Sequence, residues 1–292
     1  MSVYKILRAD GDIGRCIIGE GPIWNERSGK LYYTNGFGKG FYTYTEASDE
    51  IVFRPLPMDV PAFAFDTENR LIVSHKGGVH ILNDDDSLTP IYDNEKYKIE
   101  NANDMKVGPD GAIYVGTQCG RRVGVSDKVD GKLYRISPDG EVRVLLDGLI
   151  LSNGMDWSID GTKFYHTDSD TKVIKEYDFD SSCGDISYTG RNISLRGVDG
   201  FTIGLDGRLY VGCWGCGHIA VVELDAMQVS DYISLPVRVP TSCGFMGDDM
   251  DILAVSTASY NMDISLDKNA GFTVLVKMNV KGRKPYIFGE KR

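Results

Sequence analysis

Four polar side chains stand at one recurring place in this sequence: Glu20, Asn103, Asn153 and Asp199. Two carboxylates and two side-chain amides offer oxygen donors only. Such a set suits a hard divalent cation such as Ca²⁺, Mg²⁺ or Mn²⁺. Zn²⁺ and Fe²⁺ remain candidates through the carboxylates, although no His shares the position. Without a cation, two carboxylates at one channel mouth would repel each other. Asn, Asp and Gly also make turns between strands. Turn chemistry alone would accept Ser, Thr or Gly equally at every such place.

The position is defined by an internal repeat. Residues 19–35, 60–74, 102–117, 152–168, 198–213 and 242–257 share one pattern. Each begins with a polar or small pair, continues into a short alternating apolar strand, turns, and ends in a second apolar strand. Several of the turns contain Asp-Gly, a hairpin signal because Gly accepts a positive φ. The anchors Leu31, Leu71, Ile113, Phe164, Leu209 and Leu253 are 40, 42, 51, 45 and 44 residues apart. That period, with several short strands per unit, predicts an all-β, six-bladed β-propeller in one domain over residues 1–292. The opening strand, residues 3–9, is expected to join the last blade.

Just before the first strand of each unit stand Glu20, Pro61, Asn103, Asn153, Asp199 and Cys243. The turn residue follows eight positions later in five units (Asn69, Gly111, Gly161, Gly207, Asp251) and nine later in the first (Gly29). Equivalent positions of a propeller form a ring, and an innermost strand would set that ring, with its metal site, at the mouth of the central channel.

The same segments resemble the SMP-30/gluconolactonase/luciferin-regenerating enzyme family. The matching pieces are Gly19-Glu20-Gly21-Pro22-x-Trp24, Asn103-Asp104 with Pro109-Asp110-Gly111, Ser152-Asn153-Gly154, Asp199-Gly200, Trp214-Gly215 and Thr241-Ser242-Cys243. Their order covers nearly the whole chain. The resemblance implies one divalent metal held by Glu20, Asn153 and Asp199, with Asp199 also the general base. It implies a small-molecule sugar lactone as substrate, with Asn103 in contact with it directly or through water. Asp104 is expected behind these residues, or simply in a turn. Members similar to this chain often carry Arg two residues before the Asn103 position, where it meets substrate hydroxyls. Here Asn101 stands there, and an amide supplies neither a guanidinium fork nor its charge. Arg121 or Arg122 could replace it, or both could be solvated loop charges. The polar excursion from Gln118 to Lys132 could form a lid.

Lactone hydrolysis then follows as the expected activity. Two alternatives share the architecture: a metal-dependent hydrolase of phosphotriesters or non-sugar esters, and a non-enzymatic binding module with a structural cation. Asn101, Asn103 and Gln118 favour the sugar. There is no Gly-x-Ser-x-Gly nucleophile elbow. The Gly-rich stretches lack the Lys-Ser/Thr of a phosphate-binding loop. His75 and His166 end second strands and could face the mouth. Trp214 could floor a sugar pocket.

Composition narrows the partners. The 292 residues carry 32 Lys+Arg against 42 Asp+Glu, a formal net charge of -10, which disfavours nucleic acid and anionic membrane. No apolar run approaches a bilayer span and no signal-peptide core opens the chain, so a cytoplasmic location is expected. The six cysteines do not suggest a disulfide framework in a chain of this size. Cys213-Trp-Gly-Cys216 has the spacing of a redox or zinc pair. Zinc would need a second pair, and the simpler reading is small buried residues on and after a strand.

Overall fold

The computed structural model describes residues 4–291. The chain is a six-bladed β-propeller, and each blade is a four-stranded antiparallel sheet. Blade 1 runs Ile18–Asn25, Lys30–Gly36, Gly40–Thr45 and Glu50–Pro55. Blade 2 is the smallest, with Phe63–Phe65, Leu71–His75, Gly78–Leu82 and Leu88–Pro90. Blade 3 holds Ala102–Val107, Ile113–Thr117, Gly131–Ile136 and Val142–Leu149. Blade 4 holds Ser152–Trp157, Lys163–Asp168, Val173–Asp180 and Asp185–Ser194. Blade 5 holds Val198–Ile203, Arg208–Cys213, His218–Glu223 and Gln228–Ser234. In blade 6, Pro240–Met246, Ile252–Thr257 and Val274–Lys277 are completed by the N-terminal Tyr4–Ile6, which pairs with Val274–Lys277. Val3, the first residue of the expected opening strand, lies outside the described residues.

The chain divides into two compact units. One contains blades 1, 5 and 6, and the other contains blades 2, 3 and 4 with the tail from Tyr286. The first unit is built on Leu31, Tyr33, Tyr210, Phe245, Leu253 and Val255. The second has one cluster around Ile72, Met105, Ile113 and Val115, which the tail joins through Tyr286, and another around Tyr114, Trp157 and Phe164. Trp157 is fully buried and meets Tyr114 edge to face, ring centroids 4.8 Å apart. The only helical pieces among the described residues are Gly120–Val123 and the single turn Asp10–Asp12. Pattern explains this: apolar residues alternate along the strands and enter the cores of their own unit.

The repeat anchors set the register. Leu31 pairs with Trp24, Leu71 with Phe65, Ile113 with Val107, Phe164 with Trp157, Leu209 with Ile203 and Leu253 with Phe245. Four residues before these first-strand partners lie Glu20, Pro61, Asn103, Asn153, Asp199 and Thr241. Thr241 therefore holds the sixth place, and Cys243 lies two residues farther along the strand. The sequence places Cys243 there instead, because in this blade the positive-φ turn residue Met250 follows Thr241 by nine positions, as Gly29 follows Glu20, and not by eight as in the other four. Met250, with φ +54°, makes the turn instead of Asp251. Gly29, Asn69, Gly111, Gly161 and Gly207 all show the positive φ expected of them.

Candidate active site

A β-bulge carries the ring position in five blades. Register shifts fall between Glu20 and Ile23, Ala102 and Met105, Asn153 and Met155, Val198 and Phe201, and Pro240 and Cys243. A bulge sets two residues against one and re-aims the side chain there. Blade 2 lacks it: its first strand begins at Phe63, after Pro61, which has no N–H for the ladder. Within each unit, first strands of successive blades contact one another: those of blades 3 and 4 in one, and those of blades 5 and 6 and of blades 6 and 1 in the other.

At two ring positions the side chain binds both the next blade and its own. Asn103 Nδ2 donates to Ser152 O over 3.0 Å, and its Oδ1 accepts from Gln118 Nε2 over 3.1 Å. Thr241 Oγ1 donates to Gly19 O over 2.5 Å and lies 3.0 Å from Ser256 Oγ. Ser152 and Gly19 immediately precede Asn153 and Glu20, so these bonds brace the neighbouring ring residue. Ser152 Oγ also meets His166 Nε2 at 2.8 Å. Burial, opposed by Asp168, pushes the His166 imidazole down to about 4, so it is neutral at pH 7.

Asn153 and Asp199 are buried, and Glu20 is half-buried. Each carboxylate has a buried thiol nearby. Burial first, with the Glu20 charge added, raises Cys16 far above the ordinary thiol range. Burial, with the charges of Cys216 and Asp199 added, pushes Cys213 up to about 12. These thiols stay protonated while they remain buried. Burial likewise raises Asp104 above the usual carboxylate range; Lys106 opposes the shift and Asp156 adds to it. Asp104 Oδ1 accepts the Met105 N–H at 2.8 Å, inside the blade 3 bulge.

Asn101 has φ +55°, a left-handed conformation that Asn tolerates better than most residues. Its N–H donates to Lys76 O over 2.8 Å, and its carbonyl accepts the Gln118 N–H over 3.0 Å. Asn101, Asn103 and Gln118 are thus one bonded group. The Gln118–Lys132 excursion is tied to itself: Gly120 N–H donates to Asp130 Oδ1 at 2.8 Å and Arg121 N–H to Lys128 O at 3.0 Å. The Arg121 side chain is exposed, and Arg122 pairs with Asp170 at 3.0 Å.

The second strands carry a matching series that sequence reasoning did not single out. Four residues past each anchor stand Asn35, His75, Thr117, Asp168, Cys213 and Thr257. Four of them tie loops. Asn35 Oδ1 accepts from Ile17 N, and Thr117 Oγ1 accepts from Lys132 N. Asp168 accepts from the N–H groups of Ile150, Leu151 and Asp170. Thr257 Oγ1 donates to Phe272 O. His75 lies 2.8 Å from His80, ring nitrogen to ring nitrogen; burial, with the His80 charge added, pushes it down to about 4. Among the described residues, no three of His, Cys, Asp and Glu gather as a metal-ligating cluster. By residue type, Glu20 and Asp199 in one unit and Asn153 in the other offer carboxylate and amide oxygen, donors that suit a hard cation rather than a soft one. No helix among the described residues is long and apolar enough to cross a membrane.

Fold and repeat define a propeller of the SMP-30/gluconolactonase class. Residues 18–259 match the model of the SMP-30/Gluconolactonase/LRE-like region, and the chain belongs to that family. It is similar to rabbit (Oryctolagus cuniculus) regucalcin, 29% identical over 94% of this chain and 95% of the relative. It is 31% identical to YvrE of Bacillus subtilis (strain 168), provisionally named a sugar lactone lactonase, over 88% of each chain. Among solved structures, a luciferin-regenerating enzyme superposes with a TM-score of 0.84 at 26% identity, covering 98% of this chain and 99% of that one.

Proposed function

We propose that this protein hydrolyses the lactone of a sugar acid, using one divalent cation held by Glu20, Asn153 and Asp199, with the whole chain as one propeller domain. The observation that carries this reading is the register: all three occupy the same place in their blades, each beside a bulge, and all three offer oxygen. Family membership and the lactonase name of the Bacillus relative support it. A cation bound there would supply carbonyl polarisation and a lowered pKa for water.

The remaining chemistry belongs to the chain. Asp199 accepts the proton of the attacking water as the lactone C–O bond opens. Asn103, fixed by Ser152 and Gln118, presents an amide of set orientation to a substrate hydroxyl. Asn101 stands beside it, and exposed Arg121 would approach substrate from the solvent side. Asp104 braces the bulge from behind through the Met105 N–H.

A second reading is a cation-binding propeller without turnover. It is favoured by the regucalcin relatives and by a structurally similar Agrobacterium protein described as calcium-binding. One experiment separates the two. A panel of aldonolactones is followed by proton release against the spontaneous rate, with chelator and then with Ca²⁺, Mg²⁺, Mn²⁺, Zn²⁺ or Fe²⁺ restored. Metal-dependent turnover supports the lactonase. Cation binding without turnover on this panel supports the second reading, and turnover of phosphotriesters or aryl esters alone redirects the substrate class.

A further inference from the structure

We propose that Cys213 and Cys216 form a reversible disulfide across the turn between the second and third strands of blade 5. The inference is independent of the lactonase reading. Cys216 N–H donates to Cys213 O over 3.0 Å, closing a four-residue turn. Gly215, its third residue, has φ +74°, which makes the turn type II. Such a turn holds its end Cα atoms within about 7 Å. A disulfide needs roughly 4.4–6.8 Å.

Blade 1 shows where the end side chains of this turn point. There Gly38 N–H donates to Asn35 O over 2.9 Å, and Phe37, the third residue, has φ +62°. A Cβ placed on Gly38 would fall 2.2 Å from Asn35 Nδ2 and 2.3 Å from its Cγ. The side chain of the first residue thus lies where the fourth residue's side chain must begin. Blade 1 avoids the clash with glycine. Blade 5 places a cysteine at each end; Cys213 Sγ lies 3.5 Å from Val211 O and Cys216 Sγ 3.5 Å from Trp214 O, so joining the two sulfurs takes side-chain rotation within the closed turn.

Access differs between the two. Cys213 is buried and Cys216 is partly exposed. Gly217, the next residue, lines an open cleft of about 590 Å³ with Leu235, Val237 and Arg238. Cys216 is therefore the sulfur that meets a low-molecular-weight disulfide first. Its thiolate attacks one sulfur of glutathione disulfide and releases one glutathione thiolate. Cys213 then gives up its proton and attacks Cys216 Sγ, releasing the second glutathione. Two protein thiols are oxidised and one glutathione disulfide is reduced to two thiols. The bridge would pin Trp214, whose N–H donates to Gly197 O over 2.7 Å, two residues before Asp199.

The test incubates the native full-length chain with glutathione disulfide or with dithiothreitol. An alkylating quench and peptide mapping by mass spectrometry follow. The expected result is a segment containing both Cys213 and Cys216 that is unalkylated and two hydrogens lighter, fully reversed by dithiothreitol. A Cys213→Ala variant should instead keep one glutathione on Cys216. If the unaltered chain also keeps that glutathione, or if both cysteines alkylate after oxidation, the proposal fails. Cys183, the other partly exposed cysteine, serves as the internal control for reagent access.

Discussion

Asp168 and Asp199 are both buried aspartates close to a strand end, and only their surroundings tell them apart. Asp168 ends the second strand of blade 4, and three backbone N–H groups point at its carboxylate. It anchors the approach from Ile150 and the departing turn at Asp170. Asp199 lies in the first-strand bulge of blade 5, beside a buried thiol whose proton its charge helps retain. One propeller thus carries two polar series at a fixed distance from the same apolar anchors. The second-strand series mostly stitches loops. The first-strand series mixes stitching, at Asn103 and Thr241, with the carboxylates and amide of Glu20, Asn153 and Asp199. Residue type alone does not separate the two aspartates: Asp168 is held by three backbone N–H groups, and Asp199 sits in a bulge at the proposed cation ligands' place in the repeat.

The largest expected effect is the test that could break this distinction. Asp199→Asn should lower lactone kcat/KM by about 10²–10⁴-fold with a near-native melting curve. Asp168→Ala should do the reverse. Three amides lose a charged acceptor, costing on the order of 3 kcal/mol of stability, while the folded fraction keeps its turnover. If urea titration shows Asp168→Ala as stable as the parent while activity collapses, the division is wrong.

An acid titration sharpens the role of blade 4. The His166 imidazole has an ordinary value of 6.5 and a folded value of about 4. The unfolded chain therefore binds a proton there before the folded one does. The stabilising contribution is full above pH 6.5 and is lost as pH falls toward 4, on the order of 3 kcal/mol in all. A His166→Gln variant should show a flatter decline of urea midpoint across that window. Equal slopes for the two proteins would remove His166 from the account.

Thr241→Val separates stitching from chemistry within the first-strand series. Loss of the hydroxyl bonded to Gly19 O should cost about 1–3 kcal/mol, read as a lower melting temperature. Cation affinity by calorimetry should stay close to the parent value. A complete loss of binding would place Thr241 among the ligands. The smallest stability change is expected for Asn101→Arg. The left-handed φ should cost about 1 kcal/mol. The added guanidinium should shift which aldonolactone is turned over fastest. An unchanged preference would mean that residue 101 does not meet the substrate.

Much of this architecture was legible in the residues. Five of six ring positions and five of six turn residues followed from apolar alternation and Gly or Asn at the bend. The sixth failed for an identifiable reason: Met250 adopts the positive φ that composition assigns to Gly, Asn or Asp. That residue follows its ring place by nine positions and not eight, so the ring position moved from Cys243 to Thr241. The second-strand series is not legible from residue type because Asn35, Thr117, Asp168 and Thr257 mix amide, hydroxyl and carboxylate and share only a distance from the anchors.

The sequence by itself determined the six-fold repeat, the all-β class and the oxygen-only chemistry of Glu20, Asn153 and Asp199. Periodicity and side-chain donors are local properties, and neither needs a partner to be recognised. Tertiary structure decided what Asn103 and Thr241 bind. The bonds from Asn103 to Ser152 and from Thr241 to Gly19 span 49 and 222 residues. It also decided that Cys213 and Cys216 share a closed turn and that burial holds His166 neutral. Hydrogen bonding and desolvation depend on atoms that only folding brings together.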